Sequence, residues 1–270
     1  MASYLVTGAS RGLGFEFISQ LSSDPNNTVI GLVRNKPATL EKVDRELKQR
    51  PNLHILQADI TDYEALKASV DEVSKITGGS LDYIIANAAL VSTYSAWGTL
   101  GSLGKDPKRL GEDLLESFNI NVVGNIHLFN LYMPLILKGK VKKIATISSG
   151  MADIELIARF SIASSAPYSI SKAGMNVAVA KFSAEYSKDG VLFLSISPGL
   201  VDTSETAPTE DQIKGGQQMM AQFAEYAPHF KGPTTAESSV KNVLSVINQK
   251  SVEAGDGGSF VSHFGNKQWL

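Results

Sequence analysis

Tyr168 and Lys172 stand four residues apart in the run Pro167-Tyr168-Ser169-Ile170-Ser171-Lys172. Pro167 suits the first turn of a helix, where its missing N–H costs no intrahelical bond. The small and apolar residues from Ala173 to Ala180 continue that helix. On it the phenol and the ammonium project from one face, a turn apart. A free phenol titrates near 10, too high for easy proton transfer at neutral pH. A neighbouring ammonium favours the phenolate and makes the pair a general acid/base. The pattern is short, and its ordinary alternative is a half-buried aromatic beside a solvated charge.

A second candidate lies near the start of the chain. Tyr4-Leu5-Val6 reads as a strand, Thr7-Gly8-Ala9-Ser10-Arg11-Gly12-Leu13-Gly14 as a loop, and Phe17, Ile18 and Leu21 as one face of a helix. Strand, glycine loop and helix together form a dinucleotide cradle, with the pyrophosphate received at the helix N-terminus. The glycine spacing is G-x-x-x-G-x-G rather than G-x-G-x-x-G. The alternative is a turn without a ligand. A second strand, 28–34, ends in Arg34, twenty residues after Gly14, where an NAD-binding unit carries an acid for the ribose 2′-OH. Arg34 there and Arg11 in the loop point to the 2′-phosphate of NADP.

Composition frames these sites. The chain has 270 residues, 43% hydrophobic and 19% charged, with a net charge of -2 and no cysteine. That excludes disulfides, thiolate ligands and a cysteine nucleophile, and it suits a large packed core. No basic run suggests nucleic acid or an anionic membrane. No apolar run is long enough to span a bilayer. Met1-Ala2-Ser3 leads into the first strand without signal-peptide architecture. The expectation is a soluble, cytoplasmic protein of one domain over 1–270, with no metal site.

The elements that must position the candidates alternate. Amphipathic helical stretches at 37–50 and about 62–78 separate strands at 52–59 and 81–86, the latter running into Asn87-Ala88-Ala89. A loop at 90–107 carries Tyr94 and Trp97, and one long helix is predicted from about Pro107 to Leu137. Its middle, 118–124, is apolar nearly all round, so Asn119 and Asn121 there need buried partners. Strands at 143–147 and 191–196 end in Ser148-Ser149-Gly150 and Ser197-Pro198-Gly199, and a last strand is expected near 259–262. This βαβ alternation predicts an α/β fold: a doubly wound, Rossmann-type parallel sheet of about seven strands with helices on both faces. Ligands of such sheets bind at the carboxyl ends of the strands, where the candidate residues cluster.

In this order and spacing the motifs resemble the short-chain dehydrogenase/reductase family over essentially the whole chain, and most of all its C-factor/sniffer-type carbonyl reductase branch. The resemblance assigns Asn121, Ser149, Tyr168 and Lys172 to catalysis. To the cofactor, NADP(H), it assigns Gly8, Ser10, Arg11, Gly12, Leu13, Gly14, Arg34, Asp59, Ile60, Asn87, Pro198, Gly199, Val201 and Thr203, together with Tyr168 and Lys172. Two departures stand out. Ala89 replaces a glycine, and Ser149 and Tyr168 are nineteen apart where the family has about a dozen residues between them. The insertion, around Asp153 to Ser165, leaves Ser148 and Ser149 as alternatives, of which the family pattern selects Ser149.

The implied reaction is NADPH-dependent interconversion of a carbonyl and an alcohol, with Tyr168 as acid, Ser149 as oxyanion donor, Lys172 on the ribose and Asn121 anchoring a relay water. Alternatives on the same scaffold are isomerisation, dehydration or cyclisation, or a non-catalytic NADP-binding regulator. Residues 204–232 are expected to form a substrate lid, with Met219, Phe223 and Tyr226 on one face, opposite Tyr94 and Trp97. That favours a bulky apolar or aromatic small-molecule substrate. The resemblance also implies a homodimer or homotetramer.

Overall fold

The computed structural model describes residues 2–48, 50–203 and 210–270, and at 211 and 212 the backbone alone. The chain runs β1 (Ser3–Thr7), α1 (Gly12–Leu21), β2 (Thr28–Val33), α2 (Lys36–Glu46), β3 (Leu53–Gln57), α3 (Tyr63–Thr77) and β4 (Tyr83–Ala86). A short α4 (Leu100–Leu103) precedes α5 (Pro107–Phe118), α6 (Gly124–Ile136), β5 (Lys143–Ile147), α7 (Ile154–Arg159) and α8 (Ala166–Tyr186). Then come β6 (Leu192–Ser197), β7 (Val201–Asp202), α9 (Glu210–Tyr226), β8 (Thr234–Thr235), α10 (Ala236–Gln249) and β9 (Phe260–Ser262).

Seven strands form one sheet in the order β3-β2-β1-β4-β5-β6-β9, every neighbour parallel. Because successive strand residues point to opposite faces, Leu5, Ile84, Ile144 and Phe193 join one core with residues of α3, α6 and α8. Val6, Ile85, Ala145 and Leu194 join a second core with residues of α1, α2 and α10. Strands buried on both faces have no polar alternation to display, which is why they read as apolar runs. The expected fold is the observed one.

Helix ends follow local chemistry. Asp62 caps α3 by accepting from Ala65 N, and Gly78 ends it with a left-handed φ of 70°. Asp106 caps α5 ahead of Pro107. The single helix predicted over 107–137 is instead α5 and α6 joined by a π-helical turn at Asn119–Val123. This wider turn turns Asn121 fully inward while Asn119, expected to need buried partners, is exposed. Such bulges recur at functional sites.

The excursion after β6 is closed by the β7·β8 pair. Of the expected lid, 204–209 lie outside the described residues. In α9, Phe223 is 5% exposed and packs with Leu156, Ile162 and Trp269, so this side chain, expected to face a ligand, belongs to the core. Among the described residues no helix is long and apolar enough to cross a membrane, and no cluster of His, Asp or Glu could hold a metal.

Candidate active site

The sheet order reverses between β1 and β4, so loops leaving these neighbours diverge and open a crevice at their carboxyl ends. Thr7 pins its two sides together. Its hydroxyl accepts from Asn87 N at 3.1 Å and Ala88 N at 3.0 Å, and Asn87 Nδ2 donates to Thr7 O at 3.0 Å. Gly8 has φ +67°, and a Cβ at Gly14 would lie 2.1 Å from Gly8 O. These glycines are therefore demanded by the tight turn and by the close approach of α1 to it. Gly12 faces Thr203, 191 residues later, at 3.4 Å from where its Cβ would be. The loop after β1 and the loop after β6 thus bracket one cradle.

This cradle fits a dinucleotide. The first turn of α1 carries no acidic residue, and its N-cap Arg11 uses no side-chain cap, which leaves the helix terminus suited to an anion. Arg11 and Arg34 are both exposed and follow adjacent strands. Asp59, after β3, is oriented by accepting from Thr61 N and Thr61 Oγ1 at 2.9 and 2.8 Å. Ile60 is buried beneath it, and Ser10, Leu13 and Val201 are half-buried along the same edge. Pro198 is buried, its carbonyl accepting from Ser239 Oγ at 2.7 Å, and Gly199 lies against the His263 ring.

On the far side of β4 the structure brings Ser149 and Tyr168 together: the serine hydroxyl lies close enough to the phenol to favour its ionised form. Ser148, its sequence neighbour, is 2% exposed and donates to Asn176 Oδ1 at 2.8 Å. Of the two serines, only Ser149 meets Tyr168. Lys172 is buried, and its Nζ donates to Ile147 O at 2.6 Å, lying 5.8 Å from the Tyr168 ring centroid. Asn121 uses its whole amide. Its Oδ1 accepts from Leu90 N at 2.7 Å, and its Nδ2 donates to Leu90 O at 3.0 Å and to Ser171 Oγ at 2.9 Å.

The electrostatics differ from the expectation in one respect. Burial raises the Tyr168 pKa, with only the Ser149 hydroxyl acting against it. Lys172, expected to lower the phenol, is itself pushed down to about 8 by burial. Protein surrounds both groups, Lys172 buried and Tyr168 half-buried, which penalises the charged form of each, and the ammonium is turned to Ile147 O rather than to the phenol oxygen.

Sequence reasoning missed the supports of this site. Ser171 links Asn121 to the Tyr168 helix, donating to Tyr168 O at 2.7 Å. The 90–99 loop is tied down by Asp113, whose carboxylate accepts from Ser92 and Ser95, and by Arg109 stacked 4.0 Å over the Tyr94 ring. Ser165 Oγ donates to Ala96 O at 2.6 Å. Trp97 lies against Gly215 of α9. A hydroxyl followed downstream by a buried acid carries no local pattern, so only the fold reveals these pairs.

Residues 3–214 match the family model for short chain dehydrogenase. The chain is 58% identical over 272 residues to the short chain dehydrogenase virK of Hypocrea virens, covering 100% of both. It is 47% identical over 273 residues to the short-chain dehydrogenase/reductase AacuF of Aspergillus aculeatus, again covering 100% of both. Among solved structures, an NADPH-bound carbonyl reductase from chicken fatty liver shares the fold at TM-score 0.77 and 24% identity, over 98% of each chain. The carbonyl reductase Sniffer of D. melanogaster does so at 0.77 and 21%, over 98% of each. The chain belongs to the short-chain dehydrogenase/reductase family of oxidoreductases, whose cofactors are NAD(P). Its structural neighbours include the sniffer-type carbonyl reductases.

Proposed function

We propose that the protein is a cytoplasmic NADPH-dependent carbonyl reductase acting on a bulky, apolar or aromatic small molecule, and that residues 1–270 form one catalytic unit. What carries this reading is the Ser149 hydroxyl on the Tyr168 phenol, with Lys172 a turn further along α8. A regulator that only binds a dinucleotide has no use for such a set.

Bound NADPH supplies the hydride. Tyr168 donates its proton to the carbonyl oxygen as general acid, a role that suits a phenol kept neutral by burial. Ser149 hydrogen-bonds the same oxygen, where negative charge develops. Lys172 holds the nicotinamide ribose hydroxyls. Asn121 has no free side-chain donor, so a relay water there is held as a donor to an Asn121 oxygen, the backbone one also accepting from Asn125 Nδ2 at 3.0 Å.

The test is loss of NADPH absorbance with a panel of ketones, among them 1-tetralone and a short 2-oxo acid. Tetralone is expected to be the better substrate. No NADPH consumption with any ketone sinks the reading in favour of isomerisation, dehydration or cyclisation. The same assay has a pH signature. Lys172 is charged below its folded pKa of about 8, so kcat/KM is expected to fall as pH rises through that value.

Assembly is proposed as a homodimer through α5 and α8, or a tetramer built from such dimers. Leu115 is 74% exposed and Val177 61%, beside the exposed Phe118 and Ile170. The two helices meet where Gly174 faces Phe118, so their apolar residues merge into one outward patch of a kind that marks an interface. Of the alanines on α8, Ala178 packs on the core, while Ala180 and Ala184 face outward. Light scattering at micromolar protein is expected to give at least a dimer mass, and Leu115→Glu with Val177→Glu a monomer. A monomeric parent refutes it.

A further inference from the structure

We infer that Trp269 is a positioning residue that fixes the Ser149 turn beside the reacting carbonyl; the inference rests on the reductase reading above. Trp269 is 3% exposed. It lies on the residue that follows Ser149: a Cβ at Gly150 would be 2.9 Å from Trp269 Cβ and 3.1 Å from its Cγ. From the sheet side, Ser197 Oγ accepts from Gly150 N at 3.0 Å. The turn bearing the oxyanion donor is thus held between β6 and an indole 120 residues away. Within the turn, Ser149 Oγ accepts from Met151 N at 3.2 Å, so a shift of the turn shifts the hydroxyl that meets Tyr168.

The indole is itself held on three sides. It stacks on Phe260 at 4.4 Å between centroids, with 22° between planes. Its backbone N donates to Tyr226 Oη at 3.0 Å, and Tyr226 Oη donates to Lys267 O at 3.3 Å. Lys267 Nζ lies 5.5 Å from the Trp269 ring centroid. Around it close Leu156 and Ile162 of the insertion and Phe223 of α9. An aromatic clamped by packing and by a hydrogen-bond chain is rigid enough to set a neighbouring donor. It also joins the insertion, α9 and the Ser149 turn into one body, which fixes the side from which a ketone presents its carbonyl to the nicotinamide.

The experiment uses the full chain with NADPH and 1-tetralone, comparing parent, Trp269→Phe, Trp269→Ala and Gly150→Ala. The readouts are kcat, NADPH Kd and the enantiomer ratio of the alcohol by chiral chromatography. Trp269→Ala is expected to lower kcat about tenfold and change the enantiomer ratio while leaving NADPH Kd within about twofold, and Trp269→Phe to retain kcat within about threefold. Gly150→Ala, which adds one methyl facing the indole and removes nothing, is expected to follow Trp269→Ala, and it carries the test should that variant not fold. A folded Trp269→Ala or Gly150→Ala with parental kcat and enantiomer ratio overturns the inference alone, as does equal loss in Trp269→Phe and Trp269→Ala. A purely stabilising residue lowers Tm without moving the enantiomer ratio. A parent that reduces no ketone overturns the reductase reading and this inference with it.

Discussion

Tyr168→Phe is expected to lower kcat for ketone reduction by about a thousandfold or more, roughly 4 kcal/mol in the barrier, while NADPH still binds within about fivefold of the parent. The variant deletes the one phenol that Ser149 addresses and keeps the ring that packs at the head of α8. Ser149 retains its bond from Met151 N, so the oxyanion donor stays in its turn. Residual catalysis then comes from hydride proximity and from Ser149 alone. Steady-state NADPH oxidation and calorimetric titration of the cofactor measure the two halves separately. Reduction persisting within about tenfold of the parent, a barrier change of only ~1.4 kcal/mol, removes Tyr168 from the role of acid.

The second large effect concerns cofactor choice. The parent is expected to prefer NADPH, and Arg34→Asp to shift the kcat/KM ratio of NADPH to NADH by about a hundredfold, roughly 2.7 kcal/mol. The phosphomonoester carries about -1.5 to -2 charges near neutrality, and the substitution turns an attraction into a repulsion. Arg34 is exposed at the end of β2, so the interaction is screened and the parental preference is expected to weaken with added salt. Arg11, at the N-cap of α1, retains part of the attraction in the variant. Equal kcat/KM for the two cofactors in the parent refutes the assignment.

Much of this molecule was legible in one dimension because its determinants are local. Strands buried on both faces appear as apolar runs, helices repeat at three and four residues, and the caps Asp62 and Asp106 sit at the position that chemistry requires. The glycine loop was readable for the same reason: its tight turn and its approach to α1 constrain residues only six apart. Tyr168 and Lys172 share a face through helical geometry alone.

Other features required the assembled fold. The spacing put Ser149 near Tyr168 only by family likeness, and the insertion between them left Ser148 as an alternative. The structure separates the two serines because successive residues at a strand end point opposite ways, one to Asn176 and one to the phenol. The burial that shifts Tyr168 and Lys172 is a property of what surrounds them, and it moved the phenol up where the lysine was expected to bring it down. Phe223 has helical spacing with Met219 and Tyr226 whether that face meets a ligand or a core. Only the position of Leu156, Ile162 and Trp269 decided for the core.

The sequence by itself therefore determined the strands and helices, the glycine loop and the placing of Tyr168 and Lys172 on one helix face, each set by residues within about a turn or a strand of one another. The tertiary structure decided which serine meets the phenol, how Asn121 is held by Leu90, and that Trp269 lies on Gly150. Those contacts join residues tens to more than a hundred positions apart. No local periodicity records them, because they form only when the sheet brings separate loops to a common edge.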